Sequence, residues 1–223
     1  MILMDGRRDN RMFRFPESFS LVLPDECAAD FRAPLVMLLH DLGSNRDQWT
    51  YGANQDALTE KHHMAFLIPD GRRSCFLDMQ EGPAWNRYLR DELWDDISSQ
   101  FNVDGTVRRV IGIGTGALGA ISLASEGRFD AVALEPDVGS VTAPLPERWP
   151  RQQEWIGVFG ASGEKWLSSV AGSTGLLIAE QPIAKEILEL GSWKKVKPEG
   201  KTIGRMLEQA LRYLSGDSEE VGV

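Results

Sequence analysis

The segment Arg109-Val110-Ile111-Gly112-Ile113-Gly114-Thr115-Gly116-Ala117-Leu118-Gly119-Ala120 decides the fold of this chain. It opens as a buried strand, passes through a cluster of glycines and continues as a helix made of small residues. A strand that turns this sharply into a helix needs glycine wherever one backbone approaches another. The arrangement is that of a nucleophile elbow, G-x-S-x-G. Gly112 and Gly116 hold the outer positions, and Gly114 stands at the centre, where the motif carries serine.

Outward from this segment, short β-rich runs alternate with helical patterns. That alternation predicts an α/β protein with a mostly parallel central sheet and helices on both faces. Pro34–His40 and Met64–Ile68 are continuous apolar runs, as strands buried on both faces require. Met12–Phe15 and Ser20–Leu23 are expected to form an antiparallel N-terminal pair. Between Ala84 and Phe101, the residues Trp85, Tyr88, Leu89, Leu93, Ile97 and Phe101 recur at helical spacing. Downstream, Ala131–Leu134 and Trp155–Phe159 read as strands, with a proline-bearing loop over Asp137–Gln152 between them. A helix around Ile183–Leu190 and a strand around Trp193–Val196 follow. Thr202 can cap the last helix, whose apolar stripe is Ile203, Met206, Leu207, Ala210, Leu211 and Leu214. The expectation is one domain over residues 1–216 and an acidic, frayed tail over 217–223.

Composition narrows the function classes. Of the 223 residues 42% are hydrophobic and 26% charged, as in a globular protein. A net charge of −9 excludes nucleic acid and anionic lipid as main partners. No apolar stretch reaches the length of a membrane span, and the opening MILMDGRRDNRMFRF carries charges too early for a signal peptide. Cys27 and Cys75 lack metal-type spacing, so a reduced, cytoplasmic protein without metal or cofactor is expected.

Three stretches resemble the esterase D group of α/β-hydrolases, which includes S-formylglutathione hydrolases, tributyrin-type esterases and mycolyltransferase-like proteins. LLHDLGSNRDQW (38–49) is similar to that group's strand-end HG-x-x-G loop. IPDGRRSCFLDMQEG (68–82) resembles its P-[DS]-G-x-R-S-[FW]-Y-x-D-M segment, and the helix with Tyr88, Glu92 and Leu93 follows in order. GIGTGALGA (112–120) resembles its G-L-S-M-G-G-Y-G-A elbow. The resemblance implies an α/β-hydrolase fold over nearly the whole chain and a Ser-acid-His triad in that chain order.

The residues that such a triad needs are missing. The nucleophile position holds Gly114. The resemblance places the acid position at Gly163, with Glu164 one residue on, and the histidine position at Lys201. The only histidines, His40, His62 and His63, precede the elbow, so no shift of register supplies the base. Removing the serine or histidine of subtilisin lowers kcat by about 2 × 10⁶. Thr115 has no evident base, and Lys201 at a helix start reads as solvated. Cys75 reads as a packed thiol, His40 as a hydrogen-bonded core residue, and the adjacent pair His62-His63 as a surface loop. By the resemblance, Leu42 and Thr115 supply the backbone N–H groups of a vestigial oxyanion hole. Asp41 stands where the group has glycine, and its carboxylate opposes a developing oxyanion only if it points inward.

The sequence therefore predicts an inactive esterase-fold protein that binds a protein partner or a small acyl-type ligand, with a homodimer also open. An active carboxylesterase or thioesterase using a non-standard set of residues is the alternative.

Overall fold

The computed structural model describes residues 1–13, 15–27, 31–80, 82–138, 164–180 and 185–216. They form a sheet of eight strands in the order β1-β2-β4-β3-β5-β6-β7-β8. The strands are β1 (Ile2–Arg8), β2 (Glu17–Leu23), β3 (Ala33–Leu39), β4 (Ala65–Pro69), β5 (Val103–Ile113), β6 (Asp130–Leu134), β7 (Thr174–Ile178) and β8 (Ser192–Val196). β2 runs antiparallel to both β1 and β4, and every pairing from β4 to β8 is parallel.

The period of two along β3 separates two cores. Leu35, Met37 and Leu39 enter one face; Val36 and Leu38 enter the other. The first face is covered by α3 (Trp85–Tyr88), a π-helical turn (Leu89–Leu93), α4 (Trp94–Gln100), α5 (Gly116–Ala124), α6 (Glu164–Ser169) and α7 (Lys185–Leu190). On the second face lie α1 (Asp47–Gly52), α2 (Gln55–His62) and α8 (Ile203–Ser215). α8 starts as expected, with the Thr202 hydroxyl accepting from the Arg205 N–H, and ends at Gly216 in the left-handed region. Among the described residues no helix is long and apolar enough to cross a membrane.

One strand expectation needs correction. The antiparallel partner of β2 is Ile2–Arg8, not Met12–Phe15. β1 is an edge strand whose Asp5, Arg7 and Arg8 hide its pattern, whereas Met12 and Phe13 belong to the β1–β2 connection. Phe13 looks apolar because it fills the core, its ring 4.8 Å from those of Trp85 and Tyr88. The strand Thr174–Ile178, which the sequence pattern did not reveal, lies directly beside β6. Its two glycine- and threonine-bearing first residues leave only three consecutive apolar ones, too short a run to stand out. Trp155–Phe159 and the tail over 217–223 lie outside the described residues.

Glu17, at the start of β2, is only 3% exposed, and neither carboxylate oxygen accepts a hydrogen bond. Burial pushes its carboxyl up to about 7 against the pull of Arg72, whose guanidinium lies 3.5 Å away. The folded state therefore binds this proton more tightly than the unfolded chain. The resulting stabilisation is complete below the ordinary carboxylate value and is lost as pH rises through about 7. Glu17→Gln should therefore gain stability relative to the native chain as pH rises from 4.5 to 8. After allowance for solvent screening the gain is about 1–2 kcal/mol. Urea melts at several pH values test this, and a difference that is flat or shrinks with pH would overturn it.

Candidate functional site at the elbow

The C-terminal ends of the parallel strands converge on the turn between β5 and α5, where open α/β sheets present their ligand sites. Gly114 occupies the apex with φ +58°, in the left-handed region. Its N–H donates to Leu134 O at 3.0 Å, and its carbonyl accepts from Asp137 N at 3.1 Å, so the loop after β6 pins the turn from both sides. A Cβ on Gly112 would lie 2.3 Å from Gly116 O, and one on Gly116 would lie 2.4 Å from His40 O. The elbow backbone is thus intact and admits no side chain at its outer positions.

Asp41 follows β3 and points inward. Its Oδ1 accepts from Leu42 N at 2.8 Å, from Thr115 N at 2.8 Å and from the Thr115 hydroxyl at 2.9 Å. Leu42 N also donates to Thr115 Oγ1 at 2.7 Å. The two backbone donors are those that the sequence assigned to an oxyanion hole, and they already hold an internal carboxylate. The same carboxylate fills the nucleophile's space. A Cβ on Gly114 would meet Asp41 Oδ1 at 2.4 Å and Cγ at 2.5 Å. A negative charge at the first turn of α5 is also favoured by the helix dipole.

The surroundings hold Asp41 in place. Asp41 N donates to Gln48 Oε1 at 2.8 Å, and its carbonyl lies 2.9 Å from His40 Nδ1. His40 Nε2 accepts from Gly71 N at 3.1 Å, which leaves the proton on Nδ1 and makes the ring a bridge between two loops. Burial holds His40 below the ordinary imidazole value, and its ring packs edge-on against Phe76 at 4.9 Å. The Cys75 thiol is buried, shares a hydrogen bond with Thr115 and is pushed up to about 12 by burial. It is a packing group rather than a thiolate.

The remaining positions are distributed as follows. Lys201 is exposed in the turn before α8. Gly163 lies outside the described residues, and Glu164 begins α6. The acid position had been placed by way of a strand at Trp155–Phe159. That strand lies outside the described residues; among those described, β7 stands beside β6, and the turn leaving its C-terminal end carries Ala179 and Glu180. Glu180 N donates to Glu135 Oε1 at 2.8 Å. Glu180 and Lys201 both line one cavity of about 200 Å³ together with Lys197 and Glu199. The structure therefore groups Asp41, Leu42, Gly114 and Thr115 in one site and Glu180 with Lys201 in a separate cavity. The sequence pattern did not single out Glu180, because β7 is too short a run to stand out. Among the described residues no group of His, Cys, Asp and Glu could hold a metal ion.

Comparison with known proteins agrees with this architecture. The family model described as "Putative esterase" matches residues 16–173. An S-formylglutathione hydrolase from Agrobacterium tumefaciens superposes with a TM-score of 0.74 at 16% identity, covering 99% of this chain and 95% of that one. FphF, a fluorophosphonate-binding serine hydrolase of Staphylococcus aureus, gives 0.72 at 13% identity over 96% and 98% of the two chains. MPT51 (FbpC1) of Mycobacterium tuberculosis gives 0.71 at 14% identity over 97% and 98%. At such identities these structures share the fold alone. No curated protein matches the chain by sequence.

A side chain at position 114 and the Asp41 carboxylate exclude each other. Gly114→Ser should cost about 2–4 kcal/mol of stability through the left-handed φ and the collision with Asp41. Asp41→Gly alone should cost about 1–3 kcal/mol, since it strips an acceptor from three donors. In the double variant the costs should fall short of their sum by at least about 1 kcal/mol. Additive costs in denaturant melts would show that Asp41 does not fill this space in solution.

Proposed function

The chain belongs to the esterase family of α/β-hydrolases, and we propose that it keeps that fold without the family's chemistry and acts by binding. The observation that carries this reading is the Asp41 carboxylate on Leu42 N, Thr115 N and Thr115 Oγ1. Acyl transfer requires those donors to be free for a developing oxyanion, and a fixed negative charge there repels one. Position 114 offers no nucleophile, and a serine hydroxyl placed there would find no histidine downstream to deprotonate it. The occupant is a protein partner or a small acyl-type molecule, in a cytoplasmic setting that keeps Cys27 and Cys75 as free thiols.

One arrangement favours the alternative of a hydrolase with a non-standard residue set, namely the shared cavity of Glu180 and Lys201. Both residues are exposed there, and neither hydrogen-bonds a serine, threonine or cysteine in the described structure.

The purified chain should turn over short-chain p-nitrophenyl esters no faster than buffer and should resist labelling by a fluorophosphonate. Gly114→Ser, alone or with Asp41→Gly, should remain silent in both assays. Robust turnover together with covalent labelling of the native chain would sink the proposal, and Lys201→Met would then show whether the alternative residue set is responsible. A thermal-shift screen of short acyl esters and thioesters distinguishes a small ligand from a protein partner, since only the former raises the melting temperature of the isolated chain.

A further inference from the structure

A second cavity, of about 530 Å³, lies over the outer face of α5, away from the elbow. Its volume falls in the range of small-molecule sites, roughly 300–1,000 Å³. The floor is made by Ser122 on α5 and by Ser125 and Glu126 in the turn that ends it. The β4–α3 loop supplies one wall and α6 the other, with Trp166 and Ser169. Asp41, Leu42, Gly114 and Thr115 take no part in it. We infer that this cavity binds a neutral polyhydroxylated ring, that is, a sugar.

The lining selects the ligand by its hydrogen-bond bias. Ser125 Oγ already donates to Ser122 O, and Ser169 Oγ to Trp166 O, each at 2.7 Å. Both hydroxyls therefore turn only lone pairs outward. Asp78 and Glu126 are acceptors as well, and Gln80 adds an amide. Such a surface calls for a ligand rich in O–H donors. Among the described lining residues there is no lysine, arginine or histidine to pair with a phosphate or carboxylate.

A bare cation is also poorly served. Asp78 Oδ1 accepts from Arg87 N at 3.0 Å, and Glu126 is paired with Arg90. The apolar component comes from Leu77, Met79 and the Trp166 ring, which suit the C–H face of a sugar. Trp166 is 7% exposed, and among the described residues its indole N–H has no hydrogen-bond partner.

The test is fluorine NMR on the full chain labelled with 5-fluorotryptophan, titrated with glucose and maltose up to about 100 mM, as millimolar binding requires. The sequence holds seven tryptophans, and Trp166→Phe assigns the reporting resonance. The Trp166 signal should shift saturably with a sugar while the other signals stay put. Ser122→Leu, which fills the floor from a half-buried position on α5, should weaken this binding at least tenfold. Ser169→Leu should do the same from the opposite wall. Absence of a saturable Trp166 shift with either sugar overturns the inference, and so does binding unaffected by both leucine variants. A shift produced by acetate or spermidine but not by sugars overturns it as well. Esterase assays bear on the elbow and leave this result untouched, so the two proposals fail separately.

Discussion

The structure depends on how closely α5 approaches the ends of β3 and β5. At Gly112 and Gly116 backbone lies against backbone, with no room for even a methyl group. That contact aims the first N–H groups of α5 at the end of β3, so donors from two separate segments converge on one point. Converging donors buried without an acceptor are expensive, and the geometry therefore demands an anion or its equivalent. In an acyl-transfer enzyme the demand is met in the transition state. Here Asp41 meets it permanently.

This single substitution of a carboxylate for an open hole alters both halves of the machinery. It neutralises the donors that would stabilise an oxyanion, and it occupies the volume that a nucleophile would need. Gly114 and Asp41 are complementary in this sense: the missing side chain makes room for the carboxylate, and the carboxylate closes the turn from which the side chain is missing. Natural sites often keep strain or unmet donors for the sake of function. The elbow of this chain has relaxed instead, with its donors satisfied and His40 and Gln48 bracing the residue that satisfies them.

Much of the fold was legible in the sequence because its signals are local. The apolar runs at β3 and β4, the helical spacing from Trp85 onward and the capped stripe of α8 each follow from neighbours along the chain. β1 and β7 were not legible, for different physical reasons. β1 is an edge strand with one paired side, so solvent tolerates its Asp5, Arg7 and Arg8 and the alternation is blurred. β7 begins with Thr174-Gly175, and Gly175 is required because a Cβ there would lie 2.4 Å from Ala131 O.

The sequence by itself determined what is absent. No histidine follows the elbow, and position 114 has no side chain; both facts are independent of any conformation. It also determined the elbow's form, because glycine at 112, 114 and 116 answers to steric limits that hold for every chain. Only the tertiary structure decided where the Asp41 carboxylate points. Position 41 and position 115 lie 74 residues apart, and a side-chain torsion free in the sequence is settled by donors delivered from another strand. The same holds for Glu180 and Lys201, and for the polar floor of α5 facing α6. Each is a meeting of segments that local pattern does not encode, because its energy comes from contacts between elements and not along them.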